Sequence, residues 1–364
     1  MYPVMNSASK VNGILFCLVL AGMFVYSLPP VFSFAKNQSD AWNLFVDGKL
    51  LRKFEQAYDK RFFLREPSVQ LWADAQYLLF REGTKGVVLG KDGWLYTSQE
   101  YRVPNDLEAN LQGQLAQIDA VQAQLAQHGK RLVLLPLPMK LDIYAAHAEH
   151  PFDPRAISLY DRFVAQLQAR NVTVTPLRSA FLDNLGGPPL FLKSDTHWSP
   201  DGARLAAFEL ARQHPELLGQ ERYVSHQVAQ KTVKGDLMNY IQFDQSRLMP
   251  DFGANQIAVY ETLKAEQSSD ELFADQAQSL LLVGTSYSKI DDWNFVGFLK
   301  EALNRDLLSI AVEARGPFEA MNQFLASDEL GNPDIDTVVW EFPLRTLLAH
   351  RVSGQRQMNQ TQHF

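Results

Sequence analysis

The segment Ser279-Leu280-Leu281-Leu282-Val283-Gly284-Thr285-Ser286-Tyr287-Ser288 reads as a buried β-strand that ends in a turn. A short apolar run without alternation suits a strand covered on both faces of a parallel sheet. Gly284 closes the run, and Ser286 then falls at a strand-to-helix turn, with the next helix expected near Asp291. Four further runs have the same character: 131–136, 172–174, 307–311 and 337–341. Helical patterns at about 106–128 and 155–170 separate the first of them. Asn105 is expected to cap the first helix and Gly129 to stop it. Its Leu111, Leu115, Ile118, Val121 and Leu125 form one apolar stripe. Strands alternating with helices predict an α/β fold of three layers, α/β/α, with a mostly parallel sheet.

Composition narrows the class. The 364 residues include 41 Asp and Glu against 34 Lys and Arg, a net charge of −7. With 46% hydrophobic and 21% charged residues the chain is not disordered. The acidic balance argues against general nucleic-acid binding, which needs a basic surface to displace phosphate counterions. Cys17 is the only cysteine, so there is no internal disulfide and no cysteine-based zinc site.

The N-terminus suggests a location. Lys10 precedes an uncharged apolar run from Gly13 to Leu28 that extends towards Phe34. Its length lies between a signal-peptide core and a full membrane span. Ser33-Phe34-Ala35 resembles a cleavage site, so residues 1–35 are a signal anchor or a signal peptide. Either reading exports the rest of the chain and leaves Lys10 on the cytoplasmic side. Residues 36–82 read as a helical lead-in, with Trp42, Phe45, Phe54, Tyr58 and Phe62 at helical spacing. Residues 86–96 read as a hairpin turning at Asp92-Gly93. Residues 83–350 form one domain, with 221–265 as an insertion or flap and 351–364 as a tail.

Two segments carry chemistry. In Lys193-Ser194-Asp195-Thr196-His197-Trp198-Ser199-Pro200-Asp201-Gly202, Ser199 suits an N-cap and Pro200 the first helical turn. Asp195 and His197 then sit on a loop just before a helix. In an extended Asp-x-His stretch the two side chains point the same way. The carboxylate can hold the imidazole in one tautomer and leave the other nitrogen as a base. Ser286 is the matching nucleophile, exposed at the carboxyl end of a strand. Ser288 is the alternative nucleophile, or a cap. Asp195 with His197 also suits a metal pair, as does His147 with His150, but neither pair shows a further ligand beside it. No metal and no cofactor are expected.

At these residues the chain resembles the AlgJ/AlgX group of SGNH hydrolase-like polysaccharide O-acetyltransferases. The Asp195-Thr196-His197-Trp198-Ser199-Pro200 block and Gly284-Thr285-Ser286 carry the likeness. The Gly90-to-Tyr96 hairpin, the stretch 136–140 and the stretch 339–345 add to it, so that it spans roughly 83–350. The resemblance implies Ser286 as nucleophile, His197 as general base and Asp195 as its orienter. Tyr287, Lys140, Trp198 and Arg345 become candidates for lining the site or contacting sugar. It also implies a periplasmic enzyme tethered to the inner membrane. A membrane-bound O-acyltransferase would supply acetyl groups, an exopolysaccharide would accept them, and other polysaccharide-export proteins would be partners. The chain ends at Phe364, which favours the shorter AlgJ-like arrangement without a C-terminal carbohydrate-binding module. A net negative charge is ill suited to hold a polyanion such as alginate, so a neutral polymer such as cellulose stays open. The residues alone also allow an acetyl-esterase, a non-catalytic scaffold subunit or a metal hydrolase.

Overall fold

The computed structural model describes residues 3–60, 62–63, 65–80, 83, 85–244, 253–265, 280–313 and 316–349. The chain divides into two compact units, Met1–Ala75 and Gln76–Phe364. The first is helical, with α1 (Pro3–Asn37), α2 (Ala41–Val46), α3 (Leu50–Asp59) and most of α4 (Arg65–Phe80). Helix α3 packs on α1: the Ser27 and Tyr58 hydroxyls bond at 2.6 Å, and the Phe34 and Phe54 rings meet edge to face at 5.4 Å. Within α1, Lys10–Asn37 is apolar and long enough to cross a membrane, and its most apolar stretch is wholly unburied.

The second unit starts with the expected hairpin, β1 (Val87–Leu89) and β2 (Leu95–Thr97), paired antiparallel. Asp92 and Gly93 turn it with left-handed φ values of 56° and 79°. Then come α5 (Ser98–Tyr101), α6 (Leu107–Gln127), β3 (Arg131–Leu137), α7 (Lys140–Ile143), α8 (Pro154–Ala169) and β4 (Thr173–Val174). Next are α9 (Arg178–Asp183), α10 (Pro200–Gln213), β5 (Tyr223–Lys234) and β6 (Ala254–Lys264). The unit continues with β7 (Leu280–Gly284), α11 (Ser286–Lys289), α12 (Phe295–Leu303), β8 (Leu308–Ala311), α13 (Glu319–Leu325) and β9 (Thr337–Pro343).

All five apolar runs enter one sheet in the order β4-β3-β9-β7-β8, and every pairing is parallel. Side chains alternate across it and split the interior in two. Val133, Leu135, Leu280, Leu282 and Val339 join a core with Ala203, Leu210, Phe298 and Leu299 of α10 and α12. Leu132, Leu134, Leu281, Val283, Val338 and Trp340 join another with α6, α8 and α13. This is the three-layer α/β/α arrangement, and the apolar stripe of α6 covers one face.

Some local expectations need correction. Helix α6 begins at Leu107 after Asp106, and no side chain caps it. Helix α11 begins at Ser286 rather than near Asp291, because the Thr285 side chain accepts the Tyr287 N–H and caps the turn. Residues 223–234 and 254–264 form a separate antiparallel two-stranded ribbon. Ser279 and the tail 351–364 lie outside the described residues.

Candidate active site

The Asp195-to-His197 stretch is the tip of a tight loop. Its stems meet where Leu192 N–H donates to the His197 carbonyl at 3.2 Å and Ser199 N–H to the Leu190 carbonyl at 2.9 Å. Ser199 then caps α10, its hydroxyl accepting the Gly202 N–H at 3.2 Å, and Pro200 fills the first helical turn. A loop this short leaves several carbonyls turned inward. Lys140, the first residue of α7, satisfies three of them: its ammonium donates to Leu192, Lys193 and Asp195 at 2.6, 2.8 and 3.0 Å. Burial pushes the Lys140 ammonium down to about 7, against the charges of Glu100, Asp195 and Asp236, which act to raise it.

His197 Nδ1 lies 2.6 Å from Asp195 Oδ1, and the same oxygen accepts the His197 N–H at 2.9 Å. An ionised carboxylate only accepts, so the ring proton belongs on Nδ1. That leaves Nε2 as an acceptor, 2.8 Å from Ser286 Oγ. Asp195 Oδ2 accepts the Asp236 N–H at 2.8 Å. Burial acts to raise the Asp195 carboxyl, but the His197 bonds and charge and the Asp236 N–H bring it below its ordinary value. Asp195 and His197 are 6% and 7% exposed, whereas Ser286 is half-buried.

Asp236 is a residue the sequence reading missed. It follows Gly235 at the foot of β5, where its carboxylate accepts the Thr196 N–H at 2.8 Å and the Thr196 hydroxyl at 2.6 Å. Burial and the neighbouring charge of Asp195 raise it. It also corrects the view of Asp195 and His197 as an isolated pair, because ligand atoms of all three residues lie within 4.8 Å of one another. The oxygens of that cluster accept N–H or O–H donors from His197, Asp236 and Thr196. His147, by contrast, stacks on Trp94 at 5.1 Å and lies 3.1 Å from an Asp92 carboxylate oxygen.

Three of the four residues expected to line the site or contact sugar are buried, and the Tyr287 ring lies 4.7 Å from that of His197. Lys140, Trp198 and Tyr287 are 1%, 0% and 2% exposed and offer no surface to a sugar. Trp198 Nε1 donates to the Tyr287 carbonyl at 3.2 Å, and Tyr287 donates its hydroxyl to the Thr196 carbonyl at 2.5 Å. Arg345, partly exposed, donates to the Tyr287 hydroxyl oxygen. Together they brace the loop from behind. Ser288, the alternative nucleophile, is buried and donates to Glu341 at 2.6 Å.

The arrangement therefore sets a half-buried serine hydroxyl against an imidazole nitrogen whose ring partner is held by a carboxylate. A residue in that position can take the serine proton as the oxygen attacks a carbonyl carbon.

Comparisons with known proteins identify the family of the chain. The family described as the SGNH hydrolase-like domain of acetyltransferase AlgX matches residues 87–344. A probable alginate O-acetylase AlgJ of Pseudomonas fluorescens is 36% identical, over 93% of this chain and 87% of its own. Among solved structures, the O-acetyltransferase domain of Pseudomonas putida AlgJ superposes with a TM-score of 0.66 at 32% identity, covering 74% of this chain and 95% of that one. Pseudomonas aeruginosa AlgX shares the fold, with a TM-score of 0.57 at 20% identity over 74% of this chain and 68% of its own.

Proposed function

The chain belongs to the SGNH hydrolase-like acetyltransferase family of AlgX, and on that premise we propose that it is an O-acetyltransferase that carries acetyl groups on Ser286 to hydroxyls of an exported polysaccharide. The hydrogen-bonded sequence Asp195, His197, Ser286 is the observation that carries this reading. His197 Nε2 takes the Ser286 proton while Oγ bonds to the acetyl carbonyl carbon of the donor. The resulting imidazolium sits beside the Asp195 carboxylate and protonates the leaving group. An acetyl-serine remains. A sugar hydroxyl then attacks it, gives its proton to His197, and Ser286 Oγ leaves and recovers a proton from the same imidazolium. Ser286 opens α11, where the Tyr287 N–H goes to the Thr285 hydroxyl and the Ser288 N–H to the Thr285 carbonyl. The Ser286 N–H is the donor we assign to the tetrahedral oxyanion, a contribution usually worth about 3 kcal/mol.

The relatives named alginate O-acetylases point to alginate as the acceptor. Export to the periplasm, with α1 holding the enzyme at the inner membrane, would place residues 83–349 beside the outgoing polymer. A membrane-bound O-acyltransferase would supply the acetyl groups, and other polysaccharide-export proteins would be the neighbours.

The test is chemical. Incubated with an activated acetyl ester, the wild-type chain should gain one acetyl group on Ser286, read by peptide mass spectrometry. Adding an alginate oligosaccharide should move that group to the sugar. Labelling of S286A equal to wild type would overturn the reading. Hydrolysis with no transfer to any sugar would make the chain an esterase with the same serine.

A further inference from the structure

Glu341 is a charged residue in the middle of the sheet. It lies on β9 between Trp340 and Phe342 and is fully buried. An unpaired carboxylate there would be costly, so what its oxygens bond to shows what the position is for. Oε2 accepts the Thr285 N–H at 2.8 Å and the Ser288 hydroxyl at 2.6 Å. Oε1 accepts the Thr285 hydroxyl at 2.8 Å. The Thr285 hydroxyl in turn accepts the Tyr287 N–H at 3.4 Å. Residues 285, 287 and 288 are thereby tied, directly or through Thr285, to one side chain. Ser286, between them, bonds instead to His197.

Resting on the reading of Ser286 as the acetyl carrier, we propose that Glu341 is the positioning residue of the nucleophile turn. Its carboxylate fixes the turn at the end of β7 from the neighbouring strand, so that Ser286 Oγ stays within reach of His197 Nε2. Glu341 does not touch the reacting atoms. Its hydrogen-bond acceptors do the work, and its charge is not needed for the purpose. Lys140 has the complementary place on the other half of the site: an ammonium collects the carbonyls of the base loop, and a carboxylate collects the donors of the nucleophile turn. Lys140 opens α7 just after β3, and Glu341 lies within the paired strand β9.

The geometry makes distinct forecasts for different substitutions. In E341Q the amide oxygen can accept from Thr285 N–H and Ser288, and the amide N–H can donate to the Thr285 hydroxyl. E341A removes every anchor. T285V keeps the shape at residue 285 and deletes only the hydroxyl link, and T285S restores it. Each full-length variant is assayed by steady-state release of nitrophenol from 4-nitrophenyl acetate, with folding checked by circular dichroism and S286A run alongside. Displacing a reacting group by about 1 Å costs on the order of 100-fold in rate. The expected result is a kcat loss of about that size for E341A and a smaller loss, about tenfold, for T285V, with KM within about twofold in both. E341Q and T285S should stay within about fivefold of wild type on the same scale. A folded E341A or a T285V with wild-type kcat overturns the proposal, as does an E341Q as slow as E341A, which would assign the effect to charge. If E341A does not fold, the T285V and T285S pair decides. Activity remaining in S286A would instead overturn the reading of Ser286, whatever the Glu341 variants do.

Discussion

Asp195 and Glu341 are both buried carboxylates, and their pKa values move in opposite directions. For Glu341 burial is the main cause and raises it, against the donors of Ser288 and Thr285. A raised carboxyl holds its proton longer in the folded chain than in the unfolded one. Its stability contribution is full below the unfolded value, about 4.3, and is lost as pH rises through the folded value. Asp195 works the other way: its contribution is present above about 3.9 and is lost as pH falls through the folded value. E341Q should therefore flatten the loss of Tm between mildly acidic and neutral pH, measured by scanning calorimetry. An unchanged slope would show that Glu341 is already ionised in both states across that range. D195N keeps the shape but not the tautomer, so kcat should fall by about 10⁴. K140M leaves three buried carbonyls without donors, and should cost about 3 kcal/mol, read as a lower denaturation midpoint. At this scale Asp195, His197 and Ser286 could be singled out from their motifs, and the structure brings them within hydrogen-bond reach of one another. The roles of Lys140, Tyr287 and Trp198 were not legible: sequence places a side chain near a site but does not say whether it faces the cavity or the core. Glu341 left one readable signal, a charge inside an apolar strand.

Elements bring the two halves of the site together. The turn after β7 and the loop before α10 are 89 positions apart, yet Ser286 and His197 meet at 2.8 Å. The ribbon β5–β6 holds the loop from the outside, since Asp236 N–H bonds to Asp195 and Asn255 Nδ2 donates to the Ser194 hydroxyl oxygen at 2.6 Å. Gly235 makes that approach possible: a Cβ there would lie 1.9 Å from the Ser194 carbonyl oxygen. G235A should push the ribbon off the loop, loosen Asp195 and lower kcat by about tenfold or more, with stability falling as well. Kinetics beside thermal melts would check it, and unchanged kinetics would show that the ribbon is not a brace. The five strands were legible because buried parallel strands are short apolar runs bounded by breakers. The ribbon's service to the site was not, because Gly235 and Asp236 act on residues 41 positions away through backbone proximity alone. The same limit explains why α11 was placed too late. Thr285 as a cap is a local signal, but Ser286-Tyr287-Ser288 has weak helix propensity, and the surrounding hydrogen bonds decide its conformation.

At the scale of the whole molecule, the N-terminal helix poses a solvation problem. Ile14, Leu15, Phe16, Leu18, Val19, Leu20, Phe24 and Val25 are all exposed along α1. In water that surface is unfavourable by roughly 25 cal/mol per Å², and a lipid environment removes the cost. At about 1.5 Å per residue, the stretch Lys10–Asn37 exceeds the roughly 30 Å hydrocarbon core. A membrane tether follows if the segment is retained. Two arginines at its centre, L18R with L20R, would each oppose insertion by about 3 kcal/mol. The wild-type chain should stay in the membrane pellet after alkaline carbonate extraction, and the double variant should appear in the supernatant. On the reading of Ser286 as acetyl carrier, both should acquire the acetyl group equally once solubilised, because Asp195, His197 and Ser286 lie in the other compact unit. Intact-mass measurement of the wild-type chain separates the two export readings. A mass lacking residues 1–35 means a cleaved signal, and the pellet must then be explained by another contact. A full-length mass with carbonate resistance makes α1 the anchor, and confines the enzyme to acceptors that pass within reach of the membrane.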